Sequence, residues 1–329
     1  MSTLNVLFIG GSGIISRWCA ERAAANGMNV DIVTRHTGRE LPVGANPVTG
    51  DIRDPDSISR ILDGRAYDVI IDWLVFEPDD VRRDYKLFKG KTGQYVFISS
   101  ASAYQTPPAH LPVTETTPLS NPFWAYSRAK IECETLLDEL NADDYPVTIV
   151  RPSHTYDRTM VPFDGGWTAI ERMRQGKPVI VPGDGTSLWT MTHSRDFAVG
   201  FAGLLGRPEA IGETFHITSE TPMTWNYIYD TMAKAAGVQP QFLHVASDSI
   251  AAVDEEWGAA LLGDKSHSMI FDNSKIRKLV PDFNPTTPFE QGAREIIEWH
   301  DADASRRTVD PTIDHAMDLL SAAYQPRGT

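Results

Sequence analysis

Tyr126 and Lys130 stand four residues apart in the run Tyr126-Ser127-Arg128-Ala129-Lys130. That spacing puts both side chains on one face of a helix. A free phenol, with a pKa of about 10, is a poor base at neutral pH. A neighbouring ammonium favours the phenolate. Upstream, Val96-Phe97-Ile98-Ser99-Ser100-Ala101-Ser102-Ala103-Tyr104 reads as a strand running into small hydroxyl residues. Ser100 is placed to donate a hydrogen bond to a reacting oxygen. Tyr126 as acid/base, Ser100 as donor and Lys130 as the tuning charge are the groups needed to take a hydroxyl proton while hydride leaves the same carbon. Taken alone, Tyr-x-x-x-Lys is an ordinary exposed helix face. Its position between two strand candidates, the first ending in serines, is what singles it out.

Hydride needs an acceptor, and a second motif offers a place for one. Phe8-Ile9-Gly10-Gly11-Ser12-Gly13-Ile14-Ile15-Ser16 follows a β-rich run and leads into a helical one. In such a turn Gly10, Gly11 and Gly13 let the backbone curl against a pyrophosphate, whose charge meets the helix N-terminus. Ser12, Ile14 and Ile15 complete the loop, and Ser16 takes the third small position, where glycine is usual. At the tip of the second strand an acidic residue would bind the ribose 2′-hydroxyl of NAD. The chain has Val33-Thr34-Arg35-His36 instead. Arg35, with Arg39 close behind, suits a 2′-phosphate, so NADP is the favoured cofactor and NAD the alternative. Gly50-Asp51-Ile52 falls where a third-strand loop meets the adenine, and Asp51 is suited to accept from the adenine amino group. An Asp in a turn is also ordinary.

The elements that must position these groups are legible in the first half. Strand candidates are Asn5–Ile9, Val30–Thr34, Asp68–Asp72, Tyr95–Ile98 and Val147–Val150, each rich in Val, Ile, Leu or Phe, as strands buried on both faces are. Helical patterns over Gly13–Asn26, Pro55–Leu62, Pro78–Phe88 and Tyr126–Leu140 alternate with them. This rhythm predicts an α/β fold, a Rossmann doubly wound parallel sheet. After Arg151 the rhythm changes. Loops rich in Pro, Gly and Trp surround helix candidates at Trp167–Arg174, Ser194–Leu205, Trp225–Ala236 and Pro288–His300, and a strand at Val179–Val181. Residues 1–152 are expected to form the NAD(P)-binding domain. Residues 153–329 are expected to form a smaller, mixed substrate-binding domain, with about 190–220 returning to the first sheet. The stretch 240–270 carries few signals, and the polar end Gln325–Thr329 is expected to fray.

Composition narrows the class. The 329 residues are 41% hydrophobic and 22% charged, enough for a sizeable core. Thirty basic against 44 acidic side chains give a net charge of −14, which argues against a nucleic-acid partner and against docking on anionic lipid. Cys19 and Cys133 are too few for a disulfide framework. The nine histidines lack ligand spacing, so no metal is expected. With no membrane span and no secretory signal, a cytoplasmic enzyme is the expected class.

At this point the sequence resembles the extended short-chain dehydrogenase/reductase superfamily, in its NAD-dependent epimerase/dehydratase branch. The resemblance covers about residues 4–220. It rests on Gly10-Gly11-Ser12-Gly13-Ile14-Ile15, the Phe97–Tyr104 segment, Tyr126-x-x-x-Lys130, Val150-Arg151-Pro152-Ser153-His154-Thr155-Tyr156 and Met191-Thr192-His193-Ser194-Arg195-Asp196. It implies Ser100, Tyr126 and Lys130 as the catalytic set, with Lys130 also on the nicotinamide ribose and Pro152, Ser153 and His154 beside the nicotinamide. The chain also looks like an atypical subgroup related to chloroplast stem-loop-binding proteins, to which the unusual Asp72-Trp73-Leu74-Val75-Phe76 stretch belongs. Some members of that subgroup bind RNA; the intact Ser–Tyr–Lys set and the −14 charge count against such a role here.

The sugar 4,6-dehydratases of this branch carry an Asp–Glu pair where this chain has Ala101 and Ser102, so dehydration is disfavoured. Epimerisation and simple reduction or dehydrogenation both remain open. The substrate is expected between the sheet and the second half, with Ser102, Trp124, His154, Tyr156, Trp189 and Arg195 as candidates. For the aromatics, core packing is the competing reading, and for Arg195 a structural ion pair is. A sugar, a sugar nucleotide, a sugar acid or another small hydroxy-carbonyl compound is the expected partner, and a homodimer through the Tyr126 helix is open by analogy with related folds. A cofactor-binding regulatory or RNA-associated protein without turnover is the alternative class.

Overall fold

The computed structural model describes residues 3–35 and 41–324. Arg39, His36 and the polar end 325–329 lie outside the described residues. Six strands of the first half are β1 (Asn5–Ile9), β2 (Asn29–Thr34), β3 (Ala45–Thr49), β4 (Tyr67–Asp72), β5 (Thr92–Ile98) and β6 (Val147–Pro152). The helices between them are α1 (Ser16–Ala25), α2 (Pro55–Leu62), α3 (Pro78–Phe88) and α4 (Ala125–Asn141). The chain continues through β7 (Thr155–Tyr156), α5 (Gly166–Arg174), β8 (Pro178–Pro182), β9 (Leu188–Thr190), β10 (Thr192–His193), α6 (Ser194–Leu204) and β11 (Thr214–Ile217). It ends with β12 (Pro222–Thr224), α7 (Trp225–Ala235), β13 (Gln241–Val245), α8 (Ser247–Ala251), α9 (Glu255–Ala260), α10 (Ser274–Leu279), α11 (Phe289–Asp301) and α12 (Pro311–Tyr324).

Seven strands form one sheet in the order β11-β6-β5-β4-β1-β2-β3, every pair parallel. The period of two decides its layers. Val6 and Phe8 of β1 face a core shared with Cys19, Ala20 and Ala23 of α1 and Phe197 and Phe201 of α6. Leu7 and Ile9 face the opposite core, with Ile58 of α2, Val81 of α3 and Cys133 and Leu137 of α4. The doubly wound α/β architecture follows from this. The order reverses between β1 and β4, which opens a crevice at the carboxyl ends of the strands.

Two strands escape the sequence pattern. β3 reads Ala-Asn-Pro-Val-Thr and is mostly solvent-facing, so no alternation marks it; its proline is tolerated because the strand is an edge. β11 is only four residues long and pairs Thr214–Ile217 against Ile149–Pro152. Helix α1 starts at Ser16 rather than Gly13, because the glycine turn extends through Ile15. A third core joins Trp189, Trp225, Tyr229 and Trp257 with Tyr156, Phe289 and Met317. It draws in the three small two-stranded sheets β10-β7, β12-β9 and β13-β8.

One buried ion pair fixes α4 to the sheet. Arg151 of β6 donates from Nε to Glu134 Oε1 at 2.9 Å and from Nη2 to Oε2 at 2.5 Å, and Ser99 Oγ also donates to Glu134. The guanidinium lies 4.6 Å from the Tyr104 ring centroid. Tyr104 O–H donates to His216 Nδ1 at 3.0 Å, and His216 Nε2 donates to the Asp272 carbonyl at 2.8 Å. Both charges are almost fully buried. Glu134→Ala should therefore cost about 3–5 kcal/mol, because it strands a buried guanidinium. The double replacement Glu134→Leu with Arg151→Met should recover much of that loss. Denaturant midpoints for both variants check this; equal losses would remove the ion pair from its assigned place.

Candidate active site

Three segments meet at the carboxyl edge of β5. Helix α4 begins at Ala125, capped by the extended residue Trp124, so Tyr126 sits in its first turn and Lys130 one turn further on. Beyond β5 the chain turns sharply through Ala101–Ala103, with Ser100 Oγ accepting the Ser102 amide at 3.1 Å. Ser127 Oγ donates to Ser102 Oγ at 2.8 Å, and Ser102 Oγ lies 2.9 Å from Ser100 Oγ. Once Ser102 accepts from Ser127, its own proton points to Ser100. The Ser100 proton is then left free to face Tyr126, whose pKa the Ser100 hydroxyl lowers. Such a chain polarises along its length. Ser127 was not among the candidates read from sequence; it lies one residue after the tyrosine, on another face of the helix, and only the fold brings it to Ser102.

Burial raises the Tyr126 pKa, the Ser100 hydrogen bond lowers it, and the Asp264 charge raises it again. The net direction is upward, opposite to the lowering expected from Lys130. The reason is geometric. Lys130 Nζ donates to the carbonyls of Val75 at 2.6 Å and Ile98 at 2.8 Å, and lies 5.7 Å from the Tyr126 ring centroid. Burial lowers its pKa to about 8, against nearby Cys133, Asp72 and Glu134. The lysine ties the chain beyond β4 to the end of β5 rather than setting the charge on the phenol.

The segment the sequence left unread closes the other side. Leu261–Lys265 form a π-helical turn, a geometry that often marks functional places. The Lys265 carbonyl accepts from Ser187 Oγ and from the indoles of Trp189 and Trp225, at 3.0, 3.3 and 3.2 Å. Asn121 Nδ2 bridges the carbonyls of Ser102 and Gly263, at 2.8 and 2.6 Å. A Cβ on Gly263 would fall 2.7 Å from that of Trp124, so only glycine allows this approach. The turn thereby carries Asp264 toward Tyr126 and Lys265 Nζ to 3.6 Å from Asp164. Burial pushes the Asp264 carboxyl up to about 6, with Lys265 opposing and Asp164 assisting. His154, whose Nε2 bonds the Pro162 carbonyl at 2.8 Å, is held down to about 4 by burial and by Lys265. It is neutral at pH 7.

Several candidates sit elsewhere. Trp189 and Tyr156 are fully buried; Trp189 serves the Lys265 carbonyl, and Tyr156 packs on Phe289 and His193. Core packing therefore displaces the substrate role expected of both. Arg195 is paired with Glu295 at 3.3 Å and lies over the Trp18 ring, so the structural ion pair displaces its ligand role. Trp124 remains at the site, its ring 4.9 Å from that of Tyr126 and its Nε1 donating to Glu256. Pro152 is buried at the end of β6, and Ser153 follows it, its hydroxyl buried without a partner.

The glycine turn after β1 borders a cleft at the carboxyl ends of β1, β2 and β3. The cleft, of about 190 Å³, is lined by Ile9, Gly10, Ser12, Val33, Thr34, Arg35, Gly50, Asp51, Ile52, Arg53 and Leu74. Gly10 has φ +84°, and a Cβ there would fall 2.9 Å from Leu74 Cγ, closing the space. Gly11 packs on Ile32. The Gly13 amide donates to Ser16 Oγ at 2.8 Å, so the serine in the third small position closes the turn with its hydroxyl. Asp51 Oδ1 accepts the Arg53 amide at 3.0 Å. Backbone, cleft and cation at the strand tip fit a nicotinamide dinucleotide. Among the described residues no group of His, Cys, Asp and Glu is arranged to hold a metal, and no helix is long and apolar enough to cross a membrane.

Comparison with known proteins places this geometry. The family model for the NAD dependent epimerase/dehydratase family matches residues 82–218, which include Ser100, Tyr126 and Lys130. The chain is 27% identical over 289 residues to the 2′-dehydrokanamycin reductase of Streptomyces kanamyceticus, covering 85% of this chain and 80% of that protein. It is 25% identical over 260 residues to the chloroplast stem-loop binding protein of 41 kDa b of Arabidopsis thaliana, covering 74% and 66%. The structure of UDP-glucose 4-epimerase from Bifidobacterium longum, in complex with NAD+ and UDP, superposes with a TM-score of 0.73 at 18% identity, over 92% of this chain and 99% of that one. The doubly wound sheet, the glycine turn and the serine, tyrosine and lysine at one strand edge thus accompany a segment, residues 82–218, that matches the NAD dependent epimerase/dehydratase family.

Proposed function

We propose that the protein is an NADP-dependent reductase, working reversibly on a ketone or alcohol of a sugar or related small molecule, with Tyr126 as acid/base. The observation that carries this reading is the hydroxyl chain Ser127–Ser102–Ser100 beside Tyr126, whose pKa the Ser100 hydroxyl lowers. A bound nicotinamide dinucleotide supplies hydride there. The chain's own residues do the rest. The turn from Gly10 to Ile15 and the cleft at Asp51 and Ile52 hold the dinucleotide, and Arg35 meets its 2′-phosphate. Ser153 and His154 border the reacting end, and Lys130 reaches the ribose. In reduction, Ser100 holds the carbonyl oxygen and Tyr126 gives it a proton. In oxidation, Tyr126 takes the proton back.

Two observations favour reduction over epimerisation. Arg35 is exposed at the strand tip where an acid would select NAD, and the Streptomyces relative is a reductase by name. Incubation with NADPH and a panel of keto-sugars, following cofactor absorbance and product stereochemistry, tests the proposal. Net cofactor consumption supports it; inverted stereochemistry without net consumption makes the protein an epimerase instead.

Three outcomes are expected. NADP should bind more tightly than NAD, and Arg35→Asp should reverse that order in calorimetry; equal affinities in the wild type would overturn the assignment. Tyr126→Phe should lower turnover by about 10²–10⁴-fold with little change in cofactor affinity, whereas Lys130→Met should lower both. Near-normal turnover in Tyr126→Phe would move the reading to a cofactor-binding protein without Tyr-dependent chemistry. Asp264→Asn should shift the tyrosine-dependent limb of the oxidation pH profile to lower pH, because the Asp264 carboxylate raises the phenol pKa. An unmoved limb would separate Asp264 from the proton-transfer step.

A further inference from the structure

The cleft at the ends of β1, β2 and β3 has two guanidinium groups at its rim, and the sequence reading used one. Arg35 directly follows β2, and Arg53 lies four residues beyond the end of β3. The ladder holds these positions together: Thr34 pairs with Thr49, and the Gly50 amide donates to the Thr34 carbonyl at 3.1 Å. Arg53 itself sits in a tight turn. Its amide donates to Asp51 Oδ1 at 3.0 Å, the Asp54 amide donates to the Asp51 carbonyl, and the intervening Ile52 is buried. The next residue, Asp54, caps α2 by accepting from the amides of Asp56 and Ser57. The backbone at Arg53 is thus fixed on both sides, while its side chain is exposed.

Neither Arg35 nor Arg53 has a side-chain hydrogen bond or ion pair among the described residues. This is notable in a chain with 44 acidic and 30 basic side chains. The described acids nearest to them along the chain are engaged otherwise: Asp51 accepts one backbone amide, Asp54 accepts two, and Asp31, four residues before Arg35, accepts from Tyr67 and Arg65. Two uncompensated guanidiniums at the rim of one cleft are suited to a dianionic phosphomonoester, which offers three oxygens to planar, forked donors.

We propose that Arg53 is a second anion-binding residue of this cleft and closes with Arg35 on the adenosine 2′-phosphate of NADP, one arginine from the β2 side and one from the β3 side. The inference rests on the NADP reading given above and adds a residue that this reading did not contain. Arg53 discriminates between cofactors without touching the reacting end. Because both side chains are exposed, the preference weakens as salt rises.

The test is calorimetric binding of 2′,5′-ADP and 5′-ADP, which differ only in the 2′-phosphate. Wild-type protein should prefer 2′,5′-ADP. Arg53→Gln should weaken 2′,5′-ADP binding about tenfold and leave 5′-ADP unchanged, and Arg53→Lys should fall between. Gln keeps the backbone amide that Asp51 accepts, so the melting temperature should not move. If Arg53→Gln keeps the full preference while Arg35→Gln loses it, the role of Arg53 is overturned and the NADP reading stands. If wild-type protein shows no preference, the NADP reading falls and takes this inference with it. Equal weakening of both ligands by Arg53→Gln would assign the residue to the adenosine or its 5′-phosphates, against the proposal.

Discussion

Glu134 and Arg151 hold the molecule's chemistry in register. Tyr126 and Lys130 ride on α4, and α4 has few ways to know where β5 and β6 end. The carboxylate of Glu134 supplies this information. It accepts two bonds from Arg151 at the end of β6 and one from Ser99 at the end of β5. Lys130, one turn before Glu134, reaches the Ile98 carbonyl on the same strand. A hydrophobic contact would tolerate sliding by a fraction of a turn; a bidentate guanidinium–carboxylate pair does not. The pair is costly to bury, and the return on that cost is orientation.

A second constraint works from the far side. The Lys265 carbonyl gathers three donors, two of them indoles from the core of the second half. Trp189 and Trp225 are buried too deeply to meet a ligand, yet they set the position of the turn that does face the site. Their influence is transmitted through one oxygen atom. Asp72 plays a similar part beneath the cleft at the glycine turn. It is fully buried, accepts the Leu74 amide at 2.6 Å and is held by Arg83 at 3.0 Å. That fixes Leu74 against Gly10 and the Val75 carbonyl against Lys130.

What the sequence made legible follows from how local each signal is. The glycine turn, the buried strands and the Tyr126–Lys130 spacing are encoded within a few residues each, and β1, α2 and α3 begin and end where their patterns say. Ser127, Asp264 and Arg53 were not legible, because each acquires meaning only from a neighbour distant in the chain. Asp264 stands in a stretch without periodicity, and its turn is shaped by Asn121, Trp189 and Trp225. Trp189 and Tyr156 misled for the reverse reason. An aromatic residue next to a motif reads as a ligand contact until the packing partners are known, and here Phe289, His193 and the Lys265 carbonyl are those partners.

The edge strand β11 carries a consequence for the order in which the chain is made. Its residues 214–217 complete the sheet beside β6, yet some sixty residues of small-sheet and helical structure intervene between the two strands. The first 152 residues emerge from a ribosome with β6 as an open parallel edge, and that edge stays unpaired until residue 217 has followed. During this interval α6, which shares a core with α1, is also missing, leaving α1 to cover that face of the sheet. Domains generally fold as units during synthesis, N-terminal first. Here the seven-stranded sheet becomes a finished unit only after much of the second half has been translated.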